Sequence, residues 1–237
     1  MRTLWPRPVL RPLAVLLDFD GTLVDTEPLW IQAEIDLLGS YGVVWTLEQA
    51  RHLCGTSREF SSATMLAEMA AQGVDVEAVD EPEFYGHLWR SVADAIAAHG
   101  LPWLPGAVEL LADLADHQVP CALVSSSPRP LLEAALRQFG AHSIQVVVSG
   151  DDVPASKPAP DPYLIAADHL GVAAADCVVI EDSVSGTASG RHAGAVVIGV
   201  PRMHPLASEP GQVVCESLEG LTTEGLQRVF AAVRAHG

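Results

Sequence analysis

The chain has 237 residues, 49% of them apolar and 18% charged, and its 30 Asp plus Glu against 13 Lys plus Arg give a formal charge of −17. The apolar share supplies a core and excludes disorder as the main state, while the length suits one large domain or one and a half average ones. So acidic a surface repels phosphodiester backbones and anionic membranes, which excludes nucleic-acid and membrane partners held by a general electrostatic footprint; a phosphorylated ligand needs a locally placed cation or metal.

The first twenty residues mix arginines with apolar residues, but Pro6, Pro8, Arg11 and Pro12 interrupt the run, no small-residue cleavage site follows, and it ends in acids. It reads as a short tail leading into a buried strand rather than a signal peptide. No apolar run approaches the ~20 residues that span a bilayer. Cys54, Cys121, Cys177 and Cys215 are far apart with no C-x-x-C spacing, as expected of small buried hydrophobes in a reducing compartment. A cytoplasmic monomer is the expectation.

Apolar, β-branched runs predict strands at Leu13–Leu17, Pro120–Val124, Gln145–Val148, Cys177–Ile180 and Ala195–Val200. They are apolar throughout, as in strands covered on both faces. Helices are predicted between them at Ala107–His117, Pro130–Phe139, Asp161–Leu170 and Ser185–Ala193, and Glu216–Gly237 reads as a closing amphipathic helix. This alternation argues for a parallel sheet with right-handed crossovers. From Thr26 to about Gly100 it lapses: Pro28–Leu38, Leu47–Leu53, Glu59–Ala71 and Phe84–Ala98 all read as helices. Such an insertion after the first strand lies over the strand ends, where ligands bind in open parallel sheets, and suits a lid. Glycines 186, 190 and 194, four apart, suggest a helix packed closely on its neighbour.

The segments that follow the strands carry the chemistry. The first strand ends in Asp18-Phe19-Asp20-Gly21-Thr22-Leu23: two acids two positions apart, then a glycine that permits a sharp turn. Alone, this is either a reactive pair or an ordinary polar loop. Ser125-Ser126-Ser127 follows the second strand, offering an anion site at a helix N-terminus or a simple cap. Ser156-Lys157-Pro158 follows the third and holds the only lysine among 237 residues. An ammonium is a compact point charge suited to a phosphate oxygen or paired carboxylates. Glu181-Asp182-Ser183 ends the fourth, with hard oxygen donors of the kind Mg²⁺ prefers. Converging in one crevice, these groups are specific for phosphoryl transfer.

DFDGTLVDTE at 18–27, the strand ending at Ser125, SKPAPDPY at 156–163 and VIEDSVSGTASGRHAG at 179–194 resemble, in order, the four signature motifs of the haloacid dehalogenase superfamily. The helical insertion resembles the cap of its β-phosphoglucomutase-like phosphatases. The resemblance implies an α/β fold: a Rossmann-like parallel sheet with helices on both faces (1–25 and 101–237) plus an inserted all-helical cap (26–100). It further implies a Mg²⁺-dependent phosphatase acting on a small phosphorylated metabolite such as a sugar phosphate. Asp18 would be the nucleophile that forms an aspartyl-phosphate and Asp20 the general acid and base. Mg²⁺ would be held by Asp18, the Asp20 carbonyl, Asp182 and, directly or through water, Glu181. Ser125, Ser126, Lys157 and Thr22 would hold the phosphate, and Gly55, Arg58 and Trp30 of the cap the rest of the substrate.

Asp20 argues against a dehalogenase, and the absence of any cap lysine against a phosphonatase. Leu53-Cys54-Gly55-Thr56-Ser57-Arg58 resembles the specificity loop of β-phosphoglucomutase, yet Trp30 stands where that mutase has a histidine. Hydrolysis is therefore favoured over the alternative of a sugar phosphomutase. A catalytically idle phosphometabolite-binding protein is the second alternative, weakened because no charged motif position is lost. The scattered histidines lack metal-ligand spacing, and Tyr85, Trp89, Trp45 and Trp103 read as packing.

Overall fold

The structure is a computed structural model that describes residues 11–139 and 144–236. The tail expected at the extreme N-terminus lies largely outside them. The described residues form six strands, β1 (Ala14–Leu17), β2 (Cys121–Val124), β3 (Ile144–Val148), β4 (Cys177–Glu181), β5 (Val196–Gly199) and β6 (Gln212–Val214), of which the first five coincide with the apolar runs. They form one parallel sheet in the order β3-β2-β1-β4-β5-β6. The chain runs from β1 outward to β3, then returns to place β4 on the other side of β1. The strand order thus reverses between β1 and β4, and that switch point opens a crevice at the carboxyl ends.

Helices follow from the alternation of side chains along β1. Val15 and Leu17 face the layer of α5 (Ala107–Asp116), α6 (Arg129–Leu136) and α9 (Thr223–His236), meeting Leu110, Leu114, Leu132, Leu226 and Phe230. Ala14 and Leu16 face the opposite layer, where α7 (Asp161–His169) contributes Tyr163, Ala166 and Ala167. There α8 (Val184–His192) lies close on the sheet: a Cβ at Gly190 would press on Val179 and Val197. Gly186 instead makes room for the Glu181 carboxylate, and Gly194 lies beyond the helix at φ +84°. The glycine spacing therefore serves packing at Gly190 but a side chain of the site at Gly186.

Between β1 and α5 stand α1 (Glu27–Ser40), α2 (Leu47–Leu53), α3 (Arg58–Ala71) and α4 (Glu81–His99). Local chemistry starts them: Pro28 in the first turn of α1, a Thr46–Gln49 capping box for α2, and the Ser57 hydroxyl accepting from Phe60 N for α3. These helices share their own core of Leu38, Trp45, Met65, Phe84, Leu88 and Ile96, which docks on α6 through the fully buried Leu131. A buried leucine of this kind contributes roughly 1.5–3 kcal/mol. The entering and leaving strands of the insertion lie side by side. Val24 bridges Trp103 antiparallel, Asp25 N donates to Pro102 O at 2.8 Å and Leu104 N to Leu23 O at 2.9 Å.

Two expectations need correction. β6 is an edge strand of three residues, Gln212-Val213-Val214, whose apolar stretch is too short to read as a strand. The closing helix starts at Thr223, not Glu216, because the segment before it packs against Gly106. That residue holds φ +84°, and any Cβ there would overlap the Leu218–Glu219 backbone.

Candidate active site

All four sequence segments meet at the β1/β4 crevice. Lys157 Nζ donates to Asp18 Oδ1 and to Glu181 Oε1, both at 2.7 Å, and to Val124 O at 3.2 Å. The carboxylates of Asp18, Glu181 and Asp182 offer oxygens within 4.8 Å of one another. Three buried carboxylates against one ammonium leave an excess of negative charge. Burial first, and then the neighbouring Glu181, raise the proton affinity of Asp18, with Lys157 opposing. Asp182 is pushed well above the usual carboxylate range by burial, Asp18 and Glu181. Burial alone would lower the Lys157 ammonium, but Asp18 and Glu181 outweigh it and hold the proton firmly.

This arrangement fits a divalent cation. Asp18 Oδ2 is buried and accepts no hydrogen bond among the described residues, so the donor set is incomplete as it stands. Asp182 lines the cavity, and Gly21 (φ +83°) passes so close beneath it that a Cβ there would overlap its carboxylate. Glu181 differs from the other two. Oε1 accepts from Lys157 and from Tyr163 Oη (2.9 Å), while Oε2 accepts from Asp182 N, Ser183 N and Ser183 Oγ at 3.0–3.1 Å. Five donors leave it little to give a metal directly, and its chief work is to orient Lys157 and the turn into α8.

Asp20 points at hydroxyls. Oδ1 accepts from Thr26 Oγ1 at 2.6 Å, and Oδ2 accepts from Ser125 Oγ and Ser127 Oγ, both at 2.8 Å. The Ser125 hydroxyl also accepts from Ser127 N at 2.9 Å. A phosphate taking the Ser125 hydroxyl must therefore exchange with Asp20. Ser126 lines the cavity beside Asp18 and Lys157. Thr22 is fully buried and does not; its Oγ1 faces Asp182 Oδ1 at 3.5 Å.

A cavity of about 150 Å³ runs from Asp18, Asp20 and Lys157 to the helices above, where Trp30, Gly55 and Arg58 line it. Gly55 closes on the sheet domain: its carbonyl accepts from Ser185 Oγ at 3.4 Å. Arg58 is not free. It bonds Glu81 at 3.1 Å and lies over the Tyr85 ring at 4.5 Å, and Trp30 stacks on the same ring at 6.3 Å.

Residues overlooked in the sequence also contribute. Thr26 and Tyr163 fall inside the quoted motifs, so their spacing was visible. Ser127 belongs to the expected serine triplet, but its bond to Asp20 needed the turn geometry, and Tyr85 reads as packing until the cavity is seen. Glu34, buried on α1, carried no signal beyond being an acid on an apolar helix face.

The model of the haloacid dehalogenase-like hydrolase family matches residues 15–200. Hexitol phosphatase A of Escherichia coli K12 is 32% identical over 219 residues, 90% of this chain and 94% of that one. The bifunctional riboflavin kinase/FMN phosphatase of Arabidopsis thaliana is 35% identical over 191 residues, 80% of this chain but 48% of that longer protein. A crystal structure of CbbY from Rhodobacter sphaeroides in complex with xylulose-(1,5)-bisphosphate superposes with a TM-score of 0.78 at 26% identity, covering 91% of this chain and 99% of that one.

Proposed function

The chain belongs to the haloacid dehalogenase-like hydrolases and is a phosphatase; from that premise we propose that it hydrolyses a small phosphomonoester with Mg²⁺ through an aspartyl-phosphate on Asp18. The observation that carries the reading is the Asp18 carboxylate, held at Oδ1 by Lys157 while Oδ2 stays buried and unpartnered beside Asp182. Asp18, the Asp20 carbonyl and Asp182 would hold the ion, with Glu181 acting through Lys157 or a water. When bound, Mg²⁺ supplies positive charge that offsets the repulsion between an anionic nucleophile and an anionic phosphate.

The chain's own groups supply the rest. An Asp18 oxygen attacks phosphorus while the bond to the leaving alcohol breaks, and Asp20 gives that alcohol its proton. Asp20 then takes a proton from water, which attacks phosphorus and releases phosphate and the free Asp18 carboxylate. Thr26, Ser125 and Ser127 fix the direction of Asp20. Lys157, the Ser126 amide and, after exchange with Asp20, Ser125 bind non-bridging oxygens. Thr22 contributes by steadying Asp182 rather than by touching phosphate. Trp30, packed on Tyr85, offers no imidazole beside Asp20, which supports hydrolysis over return of the phosphoryl group to the substrate. The similarity to hexitol phosphatase A supports a sugar-like substrate in the cavity that Trp30, Gly55 and Arg58 line.

Purified protein with Mg²⁺ is expected to release phosphate from members of a broad phosphomonoester panel, to lose activity in excess EDTA and regain it with Mg²⁺, and to lose it in Asp18→Asn. No release from any member, or full activity in Asp18→Asn, overturns the reading.

A further inference from the structure

The cap end of the cavity is floored by apolar side chains, among them Ile31, Leu53, Met65 and Leu88, and into this floor α1 sets the carboxyl of Glu34. Glu34 is only 7% exposed. Its Oε2 accepts from Trp45 Nε1 at 3.1 Å, and Oε1 has no hydrogen-bond partner among the described residues. A carboxyl so placed is costly to the fold, and nothing in the phosphoryl chemistry uses it. Burial pushes it up to about 7, with Trp45 opposing. The charges around it are equally telling. Arg58 is the one cation on the cap side of the cavity among the described residues, and Glu81 and Tyr85 already occupy it. Glu27 adds a second acid to the same wall. A leaving group that carries its own anion would meet two carboxyls and no free positive partner.

Resting on the phosphatase reading, we propose that Glu34 is the specificity-determining residue of this cavity: it hydrogen-bonds a hydroxyl of an uncharged, polyhydroxylated leaving group and turns away leaving groups that bear a second phosphate or a carboxylate. A site built to pair a substrate hydroxyl rejects analogues that leave its own polar group unpaired, and like charge adds to that rejection. The apolar floor takes the carbon skeleton, and Glu34 reads its distal end.

The test measures kcat and KM of the Mg²⁺-loaded full chain on glucitol 6-phosphate, phosphoglycolate and fructose 1,6-bisphosphate, for the parent, Glu34→Gln and Glu34→Leu. The parent is expected to favour glucitol 6-phosphate by about tenfold or more in kcat/KM over both anionic compounds. Glu34→Gln, which keeps an acceptor for Trp45 and removes the charge, is expected to narrow that preference by about fivefold or more, largely through KM. Glu34→Leu is expected to lose glucitol 6-phosphate selectively; should it fail to fold, the Gln variant decides alone. A preference within twofold of the parent's in Glu34→Gln, or a parent that favours an anionic compound, overturns the inference while leaving the phosphatase reading intact. Absence of phosphate release from these and every other phosphomonoester overturns both.

Discussion

Glu181 Oε1 lies 2.7 Å from the Lys157 ammonium, the same distance that separates that ammonium from Asp18. One side chain therefore divides its protons between a carboxylate that lines the cavity and one that does not. Glu181 is 1% exposed and gathers four further donors from Tyr163, Asp182 and Ser183. Glu181→Ala strands all of them, and removing one partner of a buried pair costs roughly 3–5 kcal/mol. Urea denaturation should show a loss of that order, larger than for Asp18→Asn, which removes a carboxylate from a crowded cluster. If Glu181→Ala proves as stable as the parent, the bonds converging on it are not holding the turn.

Lys157→Met takes out the only cation that the cluster has among the described residues and leaves Asp18, Glu181 and Asp182 facing one another. Turnover should fall by about 10³ or more, the scale seen when a preorganised electrostatic group is lost. Melting with and without MgCl₂ provides the second readout: a divalent cation should raise the variant's midpoint more than the parent's, because the unbalanced charge is greater.

Gly21→Ala tests the floor beneath Asp182. At φ +83° a side chain is strained, and its Cβ would overlap the Asp182 carboxylate. The variant should lose about 1–3 kcal/mol of stability and bind Mg²⁺ more weakly, measured by titration calorimetry. Unchanged metal affinity would show that Asp182 can move without loss.

Glu34 gives a pH-dependent prediction. Its folded proton affinity is raised, to about 7 from an ordinary 4.5, so its protonated form favours folding. The contribution is complete below the unfolded value and fades as pH rises through about 7; Cys54, facing the same wall, stays protonated throughout because burial pushes it to about 12. From pH 5 to pH 8 the stability of Glu34→Gln relative to the parent should therefore rise, by up to about 3 kcal/mol. Equal differences at both pH values, by urea denaturation, would show that Glu34 is solvated.

Much of this was legible in the chain itself. Uninterrupted apolar runs such as Cys121–Val124 declare strands covered on both sides, and the acids after β1 and β4 stand at the edge of a run, where a side chain must leave the sheet. The lone lysine was conspicuous among twelve arginines. β6 was not legible, since three edge residues pair through backbone groups that any sequence carries. Nor were the Arg58–Glu81 pair and the burial of Glu34, which depend on how four helices pack around one another. The division of labour among the carboxylates also needed coordinates: adjacent in sequence, Glu181 turns inward to five donors while Asp182 turns toward the cavity.

The paired segments Leu23–Asp25 and Pro102–Leu104 bond to each other, so the chain enters and leaves the four-helix insertion at one place on the sheet. On the proposed reading, what is inserted there would select the molecules admitted, while the aspartates one turn upstream stay on the sheet. If so, exchanging the one contiguous stretch of chain between the paired segments would change the diet and leave the reacting groups in place.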